Sequence, residues 1–298
     1  MRNTFIHELE KAAEIDSKIF LLVGDLGFSV VENFQTKFPD RFLNVGIAEQ
    51  NMIGIAAGLS MEGFNVYVYS IGNFATLRCL EQIRYDVCYH RQNVKVVAVG
   101  AGFAYGSLGA SHHATEDLAI MRSLPHMLVA APGDTRETKA ITHLTTQHQG
   151  PAYIRLGRAG EADVHGRDIQ VTPGELIQVR AGKKTLILTS GGILSWAMRE
   201  ADEKTPDAAI YSVPFLSGNL NKKQLTQLLT DFDQVITMEE HQLNGGFGSF
   251  ILEQAADLYS SGALSRFPKI RRIGIPNEFA EICGTQDYLR DHFALRLP

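Results

Sequence analysis

The chain has 298 residues, with 28 Lys and Arg against 33 Asp and Glu, a net charge of −5 and 45% hydrophobic residues. That length holds one large or two ordinary domains with real cores, and the mixed, slightly acidic charge offers no field for a nucleic-acid backbone. Cys79, Cys88 and Cys283 lack CxxC spacing, the amino terminus lacks the apolar core of a signal peptide, and no stretch reaches the roughly 18 apolar residues of a span. The reading is therefore a cytoplasmic protein without disulfides or a membrane partner.

Short apolar runs alternate with amphipathic segments from one end to the other, the pattern of strands and helices in turn around mostly parallel sheets, so the fold class is α/β. Residues 4–15 predict a helix, 19–24 (IFLLVG) a buried strand, 30–37 a helix, 42–45 a strand and 48–62 a helix. A strand at 64–70 (FNVYVYS), a helix at 74–90 and a strand at 94–99 (VKVVAV) follow. Then come a short helix at 116–122, a strand at 127–131, a helix at 134–148 and a strand at 152–156. Their β-branched and aromatic content suits strands buried on both faces.

From Arg158 to Gly174 the sequence turns rich in Gly and charge without an apolar period, which reads as a linker. The alternation then restarts, with strands at 185–190, 208–213, 233–238 and 269–275 and helices near 193–203, 221–230, 246–259 and 285–292. The resulting division is a first domain at 1–160, a linker at 161–175 and a smaller domain at 176–298.

VKVVAV is followed by Gly100, Gly102 and Gly106, with Glu116 further on, a loose echo of a dinucleotide fingerprint. Gly106 falls one place late and no apolar stripe follows, so these glycines read as tight turns and close approach to a ligand. Neither a Walker loop nor a GxSxG elbow is present. Ten histidines suggest a metal, but His143 and His148 are five apart on a helix and neighbours His112 and His113 cannot easily share an ion, so no metal ligands are assigned. His112 stands apart because it lies in a Gly- and Ser-rich loop beyond a strand's carboxyl end, where open α/β sheets hold ligands.

The strongest segment is VGIAEQNMIGIAAGL, residues 45–59. Met52, Ile55, Ala56 and Leu59 form one stripe, and Ile53 and Ala57 widen it, so the helix is expected to be buried nearly all round. Gly54 and Gly58 leave room for another backbone. Glu49 sits in the first turn, where the helix dipole favours a carboxylate. On these grounds alone it reads equally as an ordinary helix-start acid and as a carboxyl that exchanges a proton or a hydrogen bond with a ligand. In 74–90, Leu77, Leu80, Ile83 and Val87 form a stripe that reads as core.

GIAEQNM resembles the transketolase segment whose glutamate contacts the aminopyrimidine ring of thiamine diphosphate. LVGDLGFS (22–29), FATLRCLEQIRYDV (74–87), GASHHATEDLAIMRSLPHM (109–127), APGDTRET (131–138) and GPAYIRLGR (150–158) occur in the order seen in that family. TSGG (189–192), MEEHQLNGGFGS (238–249) and GIPNEFAEICG (274–284) resemble its carboxyl-terminal domain. The resemblance spans nearly the whole chain and implies two parallel-sheet-rich, three-layer domains, a pyrimidine-binding domain and then a transketolase C-terminal domain.

By the same resemblance, Glu49 shares a proton with the pyrimidine N1′ and so drives acid–base catalysis delivered through the cofactor. Phe74 matches the aromatic that stacks on the pyrimidine, and Asp25, in LVGDLGFS, is placed with the cofactor. His112 matches a substrate-facing histidine and Arg158 an arginine that holds an acceptor phosphate. Where the family has a phosphate-contacting histidine this chain has Gly100, and where it has an aspartate that reads a substrate hydroxyl this chain has Leu108. Such losses shift substrate preference by about 1–3 kcal/mol each, so the acceptor expected is less charged, deoxygenated or nucleotide-linked, in a specialised sugar pathway.

The family's GDG motif and following Asn, which hold the diphosphate and its divalent metal, have no match here, and Gly24-Asp25-Leu26 is not that motif. The resemblance therefore implies an N-terminal partner subunit carrying Mg2+ and the diphosphate, an α2β2 heterotetramer, and activity only with that partner. Two alternatives stay open. One is the beta subunit of a pyruvate-decarboxylating enzyme of the 2-oxoacid dehydrogenase or acyloin synthase type, and the other is a non-catalytic scaffold.

Overall fold

The computed structural model describes residues 1–298. In its first part α1 (Arg2–Ile15) leads into β1 (Ile19–Val23), α2 (Glu32–Lys37), β2 (Phe42–Asn44), α3 (Glu49–Met61) and β3 (Asn65–Ile71). The short α4 (Gly72–Ala75) and α5 (Leu80–Gln82) precede β4 (Val94–Val99), α6 (Asp117–Arg122), β5 (Leu128–Ala130), α7 (Thr135–Gln147) and β6 (Ala152–Leu156). The six strands form one sheet in the order β2-β1-β3-β4-β6-β5, parallel throughout.

Alternation along the inner strands explains why their sequences are mostly apolar. Leu22, Val66, Val68, Val94 and Val96 enter the core on one face, whereas Leu21, Val23, Tyr67, Tyr69, Val97 and Val99 enter the core on the other. Helices cover both faces of the inner strands, whereas β2 at the sheet's edge is largely exposed.

The second part contains β7 (Ile177–Arg180), β8 (Thr185–Thr189), α8 (Leu194–Lys204), β9 (Ala209–Ser212), α9 (Lys222–Asp231), β10 (Gln234–Gln242), α10 (Phe247–Ser260), β11 (Ile270–Ile275) and α11 (Gln286–His292). Its sheet runs β11-β10-β8-β9-β7, parallel except for β7, which pairs antiparallel with β9. The α/β class with two sheets matches the expectation, but β7 went unpredicted. Its four residues, IQVR, alternate too briefly to stand out from the linker-like text before them.

The two sheets meet through backbone hydrogen bonds. Ala131 N–H donates to Pro214 O at 2.8 Å, Leu216 N–H to Val129 O at 2.9 Å and Gly191 N–H to Ala131 O at 3.0 Å. The glycine-rich stretch after β6 is tied down as well, because the carboxylate of Asp134 accepts the amides of Val164 and His165, each at 2.9 Å.

Two expectations need correcting. The single helix expected over 74–90 is a succession of α4, a 3-10 turn at Leu77–Cys79, α5 and a π-helical stretch at Ile83–Tyr89. The break falls at Thr76 (φ −116°, ψ −77°), whose hydroxyl donates to Gly72 O at 2.7 Å in competition with the backbone ladder. Ile83 and Val87 are buried as the stripe predicts, but Leu77 is exposed. Nor is α3 buried all round: Met52, Ile53, Ala56 and Ala57 are, while Gly54 and Gly58 face away, with nothing within 4 Å of where a Cβ would lie.

Candidate active site

Glu49 opens α3 beyond the carboxyl end of β2, with its side chain 1% exposed. Ser70, near the end of β3, lies with its hydroxyl 3.4 Å from Glu49 Oε1, and Arg78 donates from Nη1 to Glu49 Oε2 at 2.6 Å. Gly24, just past β1, borders this carboxyl: a Cβ there would meet Ser70 Oγ at 3.4 Å and Glu49 at 3.5 Å, in ordinary van der Waals contact. The carboxyl thus lies near the carboxyl ends of neighbouring parallel strands, the usual ligand position in such sheets.

Phe74 follows β3 on α4. The Arg78 guanidinium lies over its ring, 4.3 Å from the centroid, and the His112 ring meets it edge-on at 5.3 Å. Glu49, Phe74 and His112 therefore come together, with Arg78 joining the first two. Arg78 is the residue that sequence reasoning missed. Its spacing of four from Phe74 was a usable signal, but its pairing with Glu49, 29 positions away, was not.

His112 rides on a loop after β4. Asn73 Nδ2 donates to His113 O at 2.7 Å and so fixes that loop beside Phe74, while Ser111 Oγ and His112 Nδ1 lie 3.0 Å apart. Burial pushes the neighbouring His113 below the ordinary imidazole pKa, and its Nε2 is 3.2 Å from Gly106 O.

The remaining predicted positions are held by other contacts. Asp25 is exposed and is engaged with Asn44: its amide donates to Asn44 Oδ1 at 3.0 Å, and Asn44 Nδ2 donates to Asp25 Oδ1 at 3.1 Å. Leu108, half exposed, ends a 3-10 turn on the His112 loop. Gly100 is buried at φ +95°, and a Cβ on it would fall 2.3 Å from the Tyr105 ring. No larger residue fits there while Tyr105 holds its place. Arg158, exposed and without an ion pair, lies 5.9 Å from that same ring and lines a cleft of about 500 Å³ together with Ala104, Ser107, Arg199 and Gln286.

No group of three or more His, Cys, Asp or Glu side chains gathers where an ion could be held, and no helix is long and apolar enough to cross a membrane. A buried carboxylate acceptor beside an aromatic face, with a flat cation lying on one and bonded to the other, is a seat for a planar ring that carries a donor nitrogen.

Residues 1–160 match the family model described as transketolase, pyrimidine binding domain. An apulose-4-phosphate transketolase subunit of Phocaeicola vulgatus is 32% identical over 99% of this chain and 93% of its own length. The 6-deoxy-6-sulfo-D-fructose transketolase subunit SqwH of a Clostridium species is 31% identical over 99% of this chain and 90% of its own. Among solved structures, a split gene transketolase described as an inactive beta4 tetramer shares 34% identity. It superposes with a TM-score of 0.86 over 99% of this chain and 93% of that one.

Proposed function

Because this chain belongs to the transketolase family, we propose that it is the carboxyl-terminal subunit of a split, thiamine diphosphate-dependent transketolase. It would move a two-carbon ketol unit from a ketose to an aldose. The observation that carries this reading is the set Glu49–Arg78–Phe74. Arg78 acts there as a stand-in, since its flat, hydrogen-bond-donating group already lies on the Phe74 face and bonds to the Glu49 carboxylate, as an aminopyrimidine would. The residues present therefore fit the cofactor's pyrimidine half.

Thiamine diphosphate supplies the carbanion chemistry of ketol transfer when bound. The chain's own residues do the rest. Phe74 stacks on the pyrimidine and fixes its plane. Glu49 would share a proton between its carboxylate and the ring nitrogen, and burial keeps water from competing for it. Arg78, 40% exposed on its side chain, has solvent to move into as it leaves the ring. His112, at the edge of Phe74, faces the substrate, and Arg158 offers an unpaired cation to the anionic end of an acceptor.

Gly100 and Leu108 set the substrate class. A glycine held against Tyr105 and an exposed leucine supply neither a cation for phosphate nor an acceptor for a hydroxyl. We therefore assign a sugar of a specialised pathway rather than a standard pentose phosphate pair. Relatives named for apulose 4-phosphate and for 6-deoxy-6-sulfo-D-fructose support this direction.

The partner is an N-terminal transketolase subunit carrying the diphosphate site and Mg2+, in an α2β2 assembly. Exposed Phe28, Ile47, Leu77, Tyr85 and Tyr89, and the unpacked Gly54–Gly58 face of α3, support such a covering subunit. The test is to reconstitute the pair and offer it a ketose donor with an aldose acceptor, and separately pyruvate. Ketol transfer supports the proposal, and carbon dioxide release from pyruvate without ketol transfer would replace it with the decarboxylating alternative.

A further inference from the structure

Residues 102–114 form a loop closed at its base by two backbone hydrogen bonds, Gly102 N–H to Ala114 O at 2.9 Å and Ala114 N–H to Gly102 O at 3.0 Å. The loop carries Leu108 and His112. Asn73 holds its far side, next to Phe74. Its near side is held from the second sheet, more than a hundred residues away in sequence.

Glu240, on β10 and 4% exposed, takes the Phe103 amide on Oε1 at 2.6 Å. The same oxygen accepts Gln286 Nε2 at 2.8 Å, and Oε2 accepts Arg290 Nε. Gly102 is what lets the carboxylate in: it sits at φ +57°, and a Cβ on it would lie 2.3 Å from Glu240 Oε1. Beside this contact the Phe103 ring stacks on Phe293 at 5.4 Å with planes 10° apart, and its edge meets His113 at 5.1 Å. Gly284 N–H donates to Gly106 O at 3.2 Å, a third contact from the second part of the chain.

We propose that Glu240 is a positioning residue, through which the second sheet's domain sets the conformation of the 102–114 loop and hence the place of His112 and Leu108 against the substrate. That the loop faces substrate rests on the function proposed above, but that Glu240 sets its conformation does not. A carboxylate suits the task because a charge-assisted bond to a buried amide is short and directional, and Arg290 balances the charge that would otherwise be stranded. One glycine and a buried ion pair serve one amide of a loop already closed by its own backbone.

The experiment compares Glu240→Ala, Glu240→Gln and Gly102→Ala with wild type in two measurements. The first is amide hydrogen exchange of residues 102–114 in the full chain, read by mass spectrometry. Glu240→Ala and Gly102→Ala should speed exchange at the base of the loop by roughly ten- to a hundredfold, and Glu240→Gln, which keeps an acceptor oxygen, should restore most of the protection. The second is kinetics of the reconstituted pair, where the two disruptive variants should raise KM for the aldose acceptor at least about fivefold with thiamine diphosphate affinity within about twofold of wild type.

Loop exchange within twofold of wild type in both disruptive variants overturns the proposal, whatever the pair catalyses. A faster loop with acceptor KM and thiamine diphosphate affinity changed in proportion also overturns it, because that marks general loosening rather than positioning. Should Glu240→Ala fail to fold, Gly102→Ala decides the question from the loop's own side. A pair that shows no ketol transfer at all strikes the proposed function and leaves the exchange result standing.

Discussion

Replacing Glu49 with Gln keeps the side chain's volume and an acceptor for Arg78, but removes the charge and the titratable proton. Two magnitudes follow, and they separate a structural acid from a catalytic one. The carboxyl is 1% exposed and bonded to Arg78 at 2.6 Å, yet the Arg78 side chain is 40% exposed, so solvent screens the pair. Its loss is worth about 1–2 kcal/mol, part of which the amide retains. The melting temperature should fall by only roughly 2–4 °C. Removing a positioned general acid–base group instead costs about a hundred- to ten-thousandfold in rate, or about 3–5 kcal/mol of barrier. The assay is hydrogen–deuterium exchange at the thiazolium C2 in the reconstituted pair, with thermal melting as the control for folding. Exchange within threefold of wild type would refute the reasoning and leave Glu49 as the first-turn acid of α3.

Phe74→Ala should weaken thiamine diphosphate binding by roughly ten- to a hundredfold with little change in turnover at saturation, since stacking and burial are lost equally in ground and transition states; calorimetry on the pair reads this. Gly100→Ala should destabilise the chain by about 2–4 kcal/mol, from a strained φ and a Cβ pressed into Tyr105, and Tyr105→Ala should recover the packing part in a double-mutant cycle of urea midpoints. The hydrogen bond from His165 Nε2 to Glu137, 2.9 Å long, raises the His165 pKa above the ordinary imidazole value. A raised folded-state pKa adds stability that is complete below the unfolded value of about 6.5 and disappears as pH rises through the folded value. His165→Asn should therefore be less stable than wild type near about pH 5.5, and the gap should close toward about pH 9.

What could be read in advance divides along lines of range. The strands β1, β3 and β4 were legible because burial on both faces makes IFLLV, NVYVYSI and VKVVAV nearly all apolar or aromatic, with Asn65, Ser70 and Lys95 the polar exceptions. Glu49 stood out because it opens a helix that is apolar nearly all round, although in the chain itself Gly54 and Gly58 face outward with nothing packed on them. The stripe Leu77–Leu80–Ile83–Val87 is a genuine helical period, but periodicity does not register a backbone hydroxyl bond such as Thr76 to Gly72, so the breaks passed unseen. Gly100 was noted as a departure from the family pattern. That Tyr105 fills the space beside it is a fact of the folded loop. Least legible was Glu240, because its partner is a backbone amide 137 positions away, and a main-chain donor leaves no mark on the residue that carries it.

The central claim is that this chain supplies half of a cofactor site and is completed by another subunit. Its most direct test is calorimetric titration of thiamine diphosphate with Mg2+ into the chain alone, into the partner alone and into the mixture. The account predicts no tight binding to either one alone, tight binding to the mixture, and ketol transfer appearing only there. Submicromolar binding to the isolated chain would contradict it.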